Sequence, residues 1–147
     1  MVDLDDFDKK IIEVLRMNGR LSNVEVAKRV GLSDSSCSRR ISRLEKTGVI
    51  QGYRALTDRS KVGLTVRAYC GVIRDIHTKW DKLAKDLANI DGVISIAAVS
   101  GEVDLMLEIV AKDMQHYYHV VLRDISNIKG VNGTHSSFVL EDIKSIF

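Results

Sequence analysis

The chain has 147 residues, of which 45% are hydrophobic and 29% charged, and its formal net charge is +2. This composition fits a globular protein of one or two domains and excludes disordered and fibrous classes. No apolar run reaches the about 20 residues that span a membrane, and the acidic start MVDLDDFDKK lacks the pattern of a secretory signal. We therefore expect a cytoplasmic protein without a membrane partner.

Two helices are predicted at the start of the chain. The first spans about 5–17 and places apolar residues on one face at spacings of three and four, namely Leu4, Phe7, Ile11, Val14 and Leu15. The second spans about 22–30, where Ser22 is the predicted N-cap and Glu25 completes a capping box. Gly31 is expected to turn the chain after it, because glycine tolerates a positive φ.

A third helix is predicted to begin at Ser33, which makes residues 23–40 a candidate helix-turn-helix. Ala27 is small enough for two helices to cross closely. The space between the helices is expected to be filled by five apolar side chains, Val26, Val30, Leu32, Cys37 and Ile41. Since residues 16–59 hold ten Lys or Arg against four Asp or Glu, whereas 61–147 hold ten against eleven, the positive charge is concentrated on this motif.

The outer face of the third helix is predicted to bind double-stranded DNA. The apolar stripe of Cys37, Ile41 and Leu44 leaves a face without acidic residues pointing away from the core. Residues near the start of a recognition helix usually reach base edges, which assigns base contacts to Ser35, Ser36 and Arg39. Phosphate contacts are expected from five further residues, Arg20, Ser22, Arg40, Arg43 and Lys46. An ordinary solvated helix face is the alternative interpretation of this basic surface.

After Gly48, a short strand is predicted from Val49, Ile50 and Tyr53. The N-terminal domain as a whole is expected to be a winged-helix-like helix-turn-helix. We expect this DNA-binding domain to occupy residues 1–50, a strand and linker to occupy 51–63, and a second domain to occupy 64–147.

The second domain is predicted to be an α+β fold of the ferredoxin-like βαββαβ type. Its predicted elements are a strand at 64–73, a helix at 80–90, a hairpin of strands 93–99 and 103–110 about Ser100-Gly101, a helix at 114–128 and a strand at 134–140. An internal repeat supports this order. Six residues recur 38 positions later, namely Asp86, Leu87, Asn89, Ile90, Gly92 and Val93 as Asp124, Ile125, Asn127, Ile128, Gly130 and Val131.

The sequence resembles the Lrp/AsnC, or feast/famine, family of transcriptional regulators over nearly its whole length. The segments that carry the resemblance are LDDFDKKIIEVLRMNGR, LSNVEVAKRVGLS, CSRRISRLEKTGVIQGY, SGEVDLMLEIVAKD and GVNGTHSSFVLEDIK. The resemblance implies a homodimer that commonly assembles into octamers, DNA that is bent or wrapped around the assembly, and an amino acid as effector.

In that family the effector lies between dimers, beside the loop that joins the second and third strands of the sensing domain. That loop is here Ser100, Gly101, Glu102, Val103 and Asp104. Backbone N–H groups around Gly101 suit a carboxylate, and Asp104 can accept from an ammonium group. Thr134 and Ser136 match positions that the family also uses, although Val103 stands where relatives often carry a larger aromatic residue. These residues could also be ordinary turn and strand positions.

Other functions have less support in the sequence. An architectural protein that compacts DNA without an effector is the main alternative, and a small enzyme is a weaker one because no catalytic cluster is apparent. His116 and His119 share a helix face but lack a third metal ligand. No metal site and no cofactor are indicated, and Cys37 and Cys70 are expected to be buried thiols.

Overall fold

The computed structural model describes residues 2–143. The chain folds into two compact units, one ending at Leu56 and the other beginning at Thr57. Each unit has its own hydrophobic core.

The N-terminal unit contains three helices, α1 (Asp6–Met17), α2 (Asn23–Val30) and α3 (Asp34–Lys46). The expected capping box of α2 is confirmed, since the side chain of Ser22 accepts from the Glu25 N–H and that of Glu25 accepts from the Ser22 N–H. Gly31 ends α2 with a φ of 74°, which is the left-handed conformation that glycine permits. Ser33 caps α3 as predicted.

The core between these helices is the predicted one in most positions. Its buried members are Ile11, Val26, Ala27, Val30, Cys37, Ile41 and Leu44. Phe7 departs from the prediction because it is half-exposed, with the Arg40 guanidinium 5.6 Å from its ring centroid. The buried position in the first turn of α1 belongs instead to Asp8.

The predicted strand at Val49, Ile50 and Tyr53 is wrong, because the described part of the N-terminal unit contains no strand. The N–H groups of Val49 and Ile50 donate to the carbonyl of Leu44, at 2.9 and 3.0 Å. These residues therefore terminate α3, and their backbone donors are not available for a strand. Their side chains pack against the helical core.

The C-terminal unit has the predicted βαββαβ order. A 3-10 turn (Ser60–Val62) is followed by β1 (Val66–Arg74), α4 (Trp80–Ala88), β2 (Val93–Ala98), β3 (Leu105–Ala111), α5 (Met114–His119), a π-helical segment (Val120–Ile125) and β4 (Val131–Phe138). The strands form one antiparallel sheet in the order β2-β3-β1-β4. The last strand thus begins three residues earlier than predicted and ends at Phe138.

One face of the sheet packs against the helices. Its core contains alternate residues of the central strands together with helical side chains, among them Cys70, Val72, Leu107, Leu83, Leu87 and Ile125. The opposite face carries Arg67, Tyr69 and Glu108, which alternate with the core positions. Cys37 and Cys70 are buried free thiols, as expected.

The internal repeat corresponds to a repeated turn. Gly92 and Gly130 both adopt positive φ, 88° and 101°. Their carbonyls accept from backbone N–H groups of neighbouring chain segments, Gly92 from Val110 and Gly130 from Asp75, both at 2.8 Å. The two helix-to-strand connections are therefore built in the same way, which confirms that the repeated residues mark the same turn in both halves of the unit.

Candidate DNA-binding surface and effector site

The outer face of α3 presents Ser35, Arg39 and Lys46 to solvent, with Ser36 half-buried beside them. Neither Arg39 nor Lys46 forms an ion pair with any residue between 2 and 143. Ser33 holds the first turn of α3 by accepting from the Ser36 N–H at 3.3 Å. The start of α3 is therefore ordered, and its two exposed cations are available to a polyanion.

Arg40 and Arg43, which we predicted to contact phosphates, form ion pairs with acids at the start of α1. The Arg40 guanidinium donates to carboxylate oxygens of Asp5 and Asp8, at 2.7 and 2.9 Å. Arg43 donates to the other oxygen of Asp8, whose side chain is fully buried. Both arginines thus connect α3 to α1, although the Arg43 side chain stays 45% exposed.

The electrostatics of this cluster follow from its hydrogen bonds. The backbone N–H of Asp8 and then the Arg40 guanidinium lower the pKa of Asp5 below its usual value. Hydrogen bonds to Asp5 and Asp8 raise the pKa of Arg40 further above its usual range. Asp5 and Arg40 are therefore held in their charged forms.

The start of α2 combines an exposed cation with a serine that already has partners. The Ser22 hydroxyl donates to Glu25 at 2.7 Å, and the Arg20 N–H donates to the Asn18 side chain at 3.0 Å. The Arg20 side chain is exposed. Arg20 is therefore better placed than Ser22 to contact a phosphate.

One contact between α2 and α3 was missed by the sequence analysis. The Asn23 amide donates to the Ser38 hydroxyl at 2.7 Å and so joins the two helices of the motif. Asn23 follows the N-cap of α2, and polar residues at such positions are too common to indicate a specific partner.

The predicted effector loop lies between β2 and β3. Ser100, Gly101 and Glu102 are exposed, and Gly101 has a φ of 134°. Asp104 is tied to the sheet, because its carboxylate accepts from the Arg74 N–H at 2.7 Å and its own N–H donates to the Val72 carbonyl at 2.9 Å. Asp104 thus fixes the end of the loop whether or not an effector binds there.

Val103 forms the inner side of this loop and packs over Gly71 of β1. An ideal Cβ at Gly71 would stand 2.8 Å from Cγ1 of Val103. The close approach shows that the loop rests on the central strand at a point where no side chain intervenes.

Thr134 and Ser136 differ in their relation to the loop. Thr134 pairs with Val72, and Val72 pairs on its other side with Leu105, the residue after Asp104. Thr134 therefore lies at the same end of the sheet as the loop, with β1 between them. Ser136 lies two residues further along β4, and its hydroxyl accepts from the buried Tyr117 at 2.7 Å.

Residues 2–143 contain no cluster of three or more His, Cys, Asp or Glu side chains that could hold a metal ion. No helix in this range has the length and apolar character needed to cross a membrane.

A helix-turn-helix with an exposed basic face, followed by a ferredoxin-like unit with an exposed glycine loop, defines a two-domain DNA-binding regulator. Residues 4–51 match the family model for winged helix-turn-helix DNA-binding, and residues 67–146 match that for the Lrp/AsnC ligand binding domain. The chain belongs to the Lrp/AsnC family of transcriptional regulators. The relatives that it matches are transcriptional regulators and not enzymes.

Curated relatives and solved structures are similar to this chain over nearly its full length. The leucine-responsive regulatory protein of Rhizobium meliloti is 34% identical, over 97% of this chain and 93% of that relative. A transcriptional regulator from Neisseria meningitidis, solved in complex with L-Met, has a TM-score of 0.92 and 38% identity, covering 97% of this chain and 94% of that one. The feast or famine regulatory protein from M. tuberculosis complexed with L-methionine has a TM-score of 0.90 and 30% identity, covering 97% and 96%.

Proposed function

We propose that the chain regulates transcription as a homodimer, or a larger assembly of dimers, that reads DNA with α3 and responds to an amino acid. The observation that carries the proposal is the exposed face of α3, where Arg39 and Lys46 have no partner among residues 2–143. We also propose a cytoplasmic location, which a DNA partner supports.

The proposed division of DNA contacts follows the position of each residue on its helix and the ion pairs that Arg40 and Arg43 already form. Ser35, Ser36 and Arg39 contact base edges in the major groove, because they occupy the first turns of the recognition helix. Lys46 and Arg20 contact phosphates. Two copies of α3 in a dimer would enter successive major grooves about 34 Å apart, so that the preferred DNA is an inverted repeat.

The open face of the sheet supports self-association. On this face Tyr69 is 39% exposed, and the Arg67 side chain donates to Glu108 at 2.7 Å. The described helices of the C-terminal unit pack on the other face of the sheet, and a sheet face without a covering layer in its own domain commonly buries itself against another element. We assign this face to a second copy of the chain.

The effector proposal rests on the loop 100–104 and on the L-methionine complexes of two structural neighbours. The exposed backbone at Gly101 can donate to a carboxylate, and the second oxygen of Asp104 can accept from an ammonium group. Thr134, at the same end of the sheet, supplies a hydroxyl. Ser136 has a smaller part because its hydroxyl already pairs with Tyr117.

A thermal-shift screen of the amino acids, beginning with L-methionine and L-leucine, tests this assignment. At one hundred times Kd, a bound ligand stabilises the folded state by about 2.7 kcal/mol, which gives a measurable rise in Tm. Asp104→Asn should lose that rise, because the neutral amide no longer offers a carboxylate to the ammonium group. The variant should still fold and bind DNA, because its amide oxygen can accept from the Arg74 N–H. Asp91→Asn, which changes an exposed carboxylate outside the loop, is the matched control.

Two results would contradict the effector proposal. If none of the amino acids raises Tm, an architectural DNA-compacting protein becomes the better description. If Asp104→Asn retains the full rise, the amino acid binds elsewhere.

A further inference from the structure

Among residues 2–143, Asp8 is the one charged residue that is buried. Its carboxylate accepts three hydrogen bonds, from Arg40 at 2.9 Å, from Arg43, and from the Asp5 N–H at 3.2 Å. A carboxylate on the apolar face of a helix is costly unless its charge is balanced and its oxygens are bonded. Both conditions are met only when the two arginines of α3 turn toward α1.

The cluster of Asp5, Asp8, Arg40 and Arg43, here called the acid-arginine cluster, has two negative and two positive charges. Arg40 bonds to both acids, and its guanidinium also lies over the Phe7 ring. The cluster is therefore neutral within itself. Two of the cations on the recognition helix are thus already paired with acids of the same domain, although the Arg43 side chain remains 45% exposed.

The positions of Arg40 and Arg43 on α3 fix how that helix is rotated against α1. Arg40 and Arg43 are three residues apart on α3, so they lie on neighbouring sides of one helix turn. Because both bind the same carboxylate, the rotation of α3 about its own axis is fixed relative to α1. That rotation sets the direction in which Arg39 points.

We propose that Asp8 is a positioning residue for DNA recognition, which orients α3 through Arg40 and Arg43 and withholds their charges from the DNA. Specificity then depends on Arg39 and the serines, and non-specific attraction is limited to the cations that have no acidic partner in the domain. This inference rests on the proposed reading of DNA by α3.

Asp8→Asn is the direct test, because asparagine keeps the size of the side chain but cannot balance two guanidinium groups. The probes are a duplex selected from a random-sequence pool by the wild-type protein, and poly(dI-dC). Binding to poly(dI-dC) should become more salt-dependent, by about 0.9 in the log-log slope for each released arginine that meets a phosphate, and so by up to about 1.8 per protomer. Preference for the selected duplex should fall roughly tenfold, the loss expected for one base contact.

The steeper salt dependence distinguishes positioning from a merely structural role. A damaged domain would lose phosphate contacts, and its slope would become flatter. Adding Arg40→Gln and Arg43→Gln to Asp8→Asn should return the slope to the wild-type value, because the released charges are then absent. Helical circular dichroism of each variant verifies that the domain is folded.

A pair of single variants tests the inference without changing Asp8. Arg43→Gln should leave the wild-type slope unchanged, whereas Lys46→Gln, one turn further along α3, should flatten it by about 0.9. An equal flattening by both variants would overturn the inference, as would a folded Asp8→Asn protein with an unchanged or flatter slope.

Failure of the proposed function would have a different signature. A wild-type protein that does not prefer the selected duplex, or a Lys46→Gln variant with an unaltered slope, would contradict DNA reading by the outer face of α3. Neither result depends on Asp8.

Discussion

Gly71→Ala should destabilise the C-terminal unit by pushing Val103 away from the sheet. The added Cβ would stand 2.8 and 3.1 Å from the two γ carbons of Val103, and 3.2 Å from its Cβ. Distances below about 3 Å require displacement, and the β-branched side chain of valine has few alternative rotamers. Gly71 lies in a central strand between Met106 and His135, so the backbone itself has little room to move.

Overpacking of this kind costs about 1–3 kcal/mol. The C-terminal unit has about 90 residues, a size at which each kcal/mol lowers Tm by about 4–8 °C, so the expected fall is about 4–24 °C. Trp80 is the one tryptophan of the sequence and lies in the same unit, so its fluorescence follows the relevant transition. The amino-acid response should weaken as well, because the displaced residue belongs to the proposed effector loop.

Val103→Ala provides the decisive comparison, since it removes both γ carbons that the new methyl group would meet. In a Val103→Ala background, Gly71→Ala should cost less than half of what it costs in the wild type. If the two substitutions are additive, the contact is not the source of the loss and the reasoning is refuted.

Three further outcomes are expected. Leu107→Ala should cost about 2–5 kcal/mol by opening a cavity in the sheet core, whereas Leu122→Ala, at a half-exposed position, should cost much less in the same fluorescence assay. Burial and the Glu45 carboxylate raise the pKa of Tyr53 to about 12. The stability that the neutral form of Tyr53 contributes should therefore be full below about pH 10 and be lost as the pH rises through about 12. A Tyr53→Phe variant should lack this pH-dependent loss of stability. Hydrogen bonds lower the pKa of Asp5 below 3.8. The wild type should therefore have a higher Tm than Asp5→Asn at pH 7, and this difference should vanish as the pH falls below 3.8. A difference in Tm that persists in acid would contradict the assignment.

The features that the sequence predicted correctly depend on short-range interactions. The capping box of Ser22 and Glu25 and the left-handed Gly31 involve residues at most three or four positions apart. The repeat that predicted two similar βαβ halves is likewise local within each half, because it marks a single turn that ends at Gly92 or Gly130. Such patterns leave their signature in adjacent residues.

The wrong strand prediction shows where local patterns fail. Val49 and Ile50 have the β-branched character of a strand, and their side chains are partly buried as a strand's would be. The difference lies in the backbone, whose N–H groups bind the Leu44 carbonyl at the end of α3. Side-chain periodicity indicates burial, whereas a strand also requires a partner for its backbone donors and acceptors.

The role of Asp8 could not be predicted for a related reason. Its partners, Arg40 and Arg43, are 32 and 35 residues away, and a lone carboxylate near an apolar helix face is usually solvated. The signal in the sequence was the position of Asp8, since it lies three residues before the buried Ile11 and hence on nearly the same side of α1.

The net charge of residues 16–59 overestimates the positive charge that is available to DNA, because it leaves out the acids of the α1 region that pair with Arg40 and Arg43. Residues 16–59 have a net charge of +6, but residues 2–59 hold twelve Lys or Arg and nine Asp or Glu, a net of +3. The difference comes from α1 and the residues around it, which include both acids that pair with Arg40 and Arg43. A cation contributes to DNA affinity only if it is exposed and releases counterions from phosphates. On α3, Arg39 and Lys46 have no acidic partner among residues 2–143, whereas Arg40 and Arg43 are paired with Asp5 and Asp8.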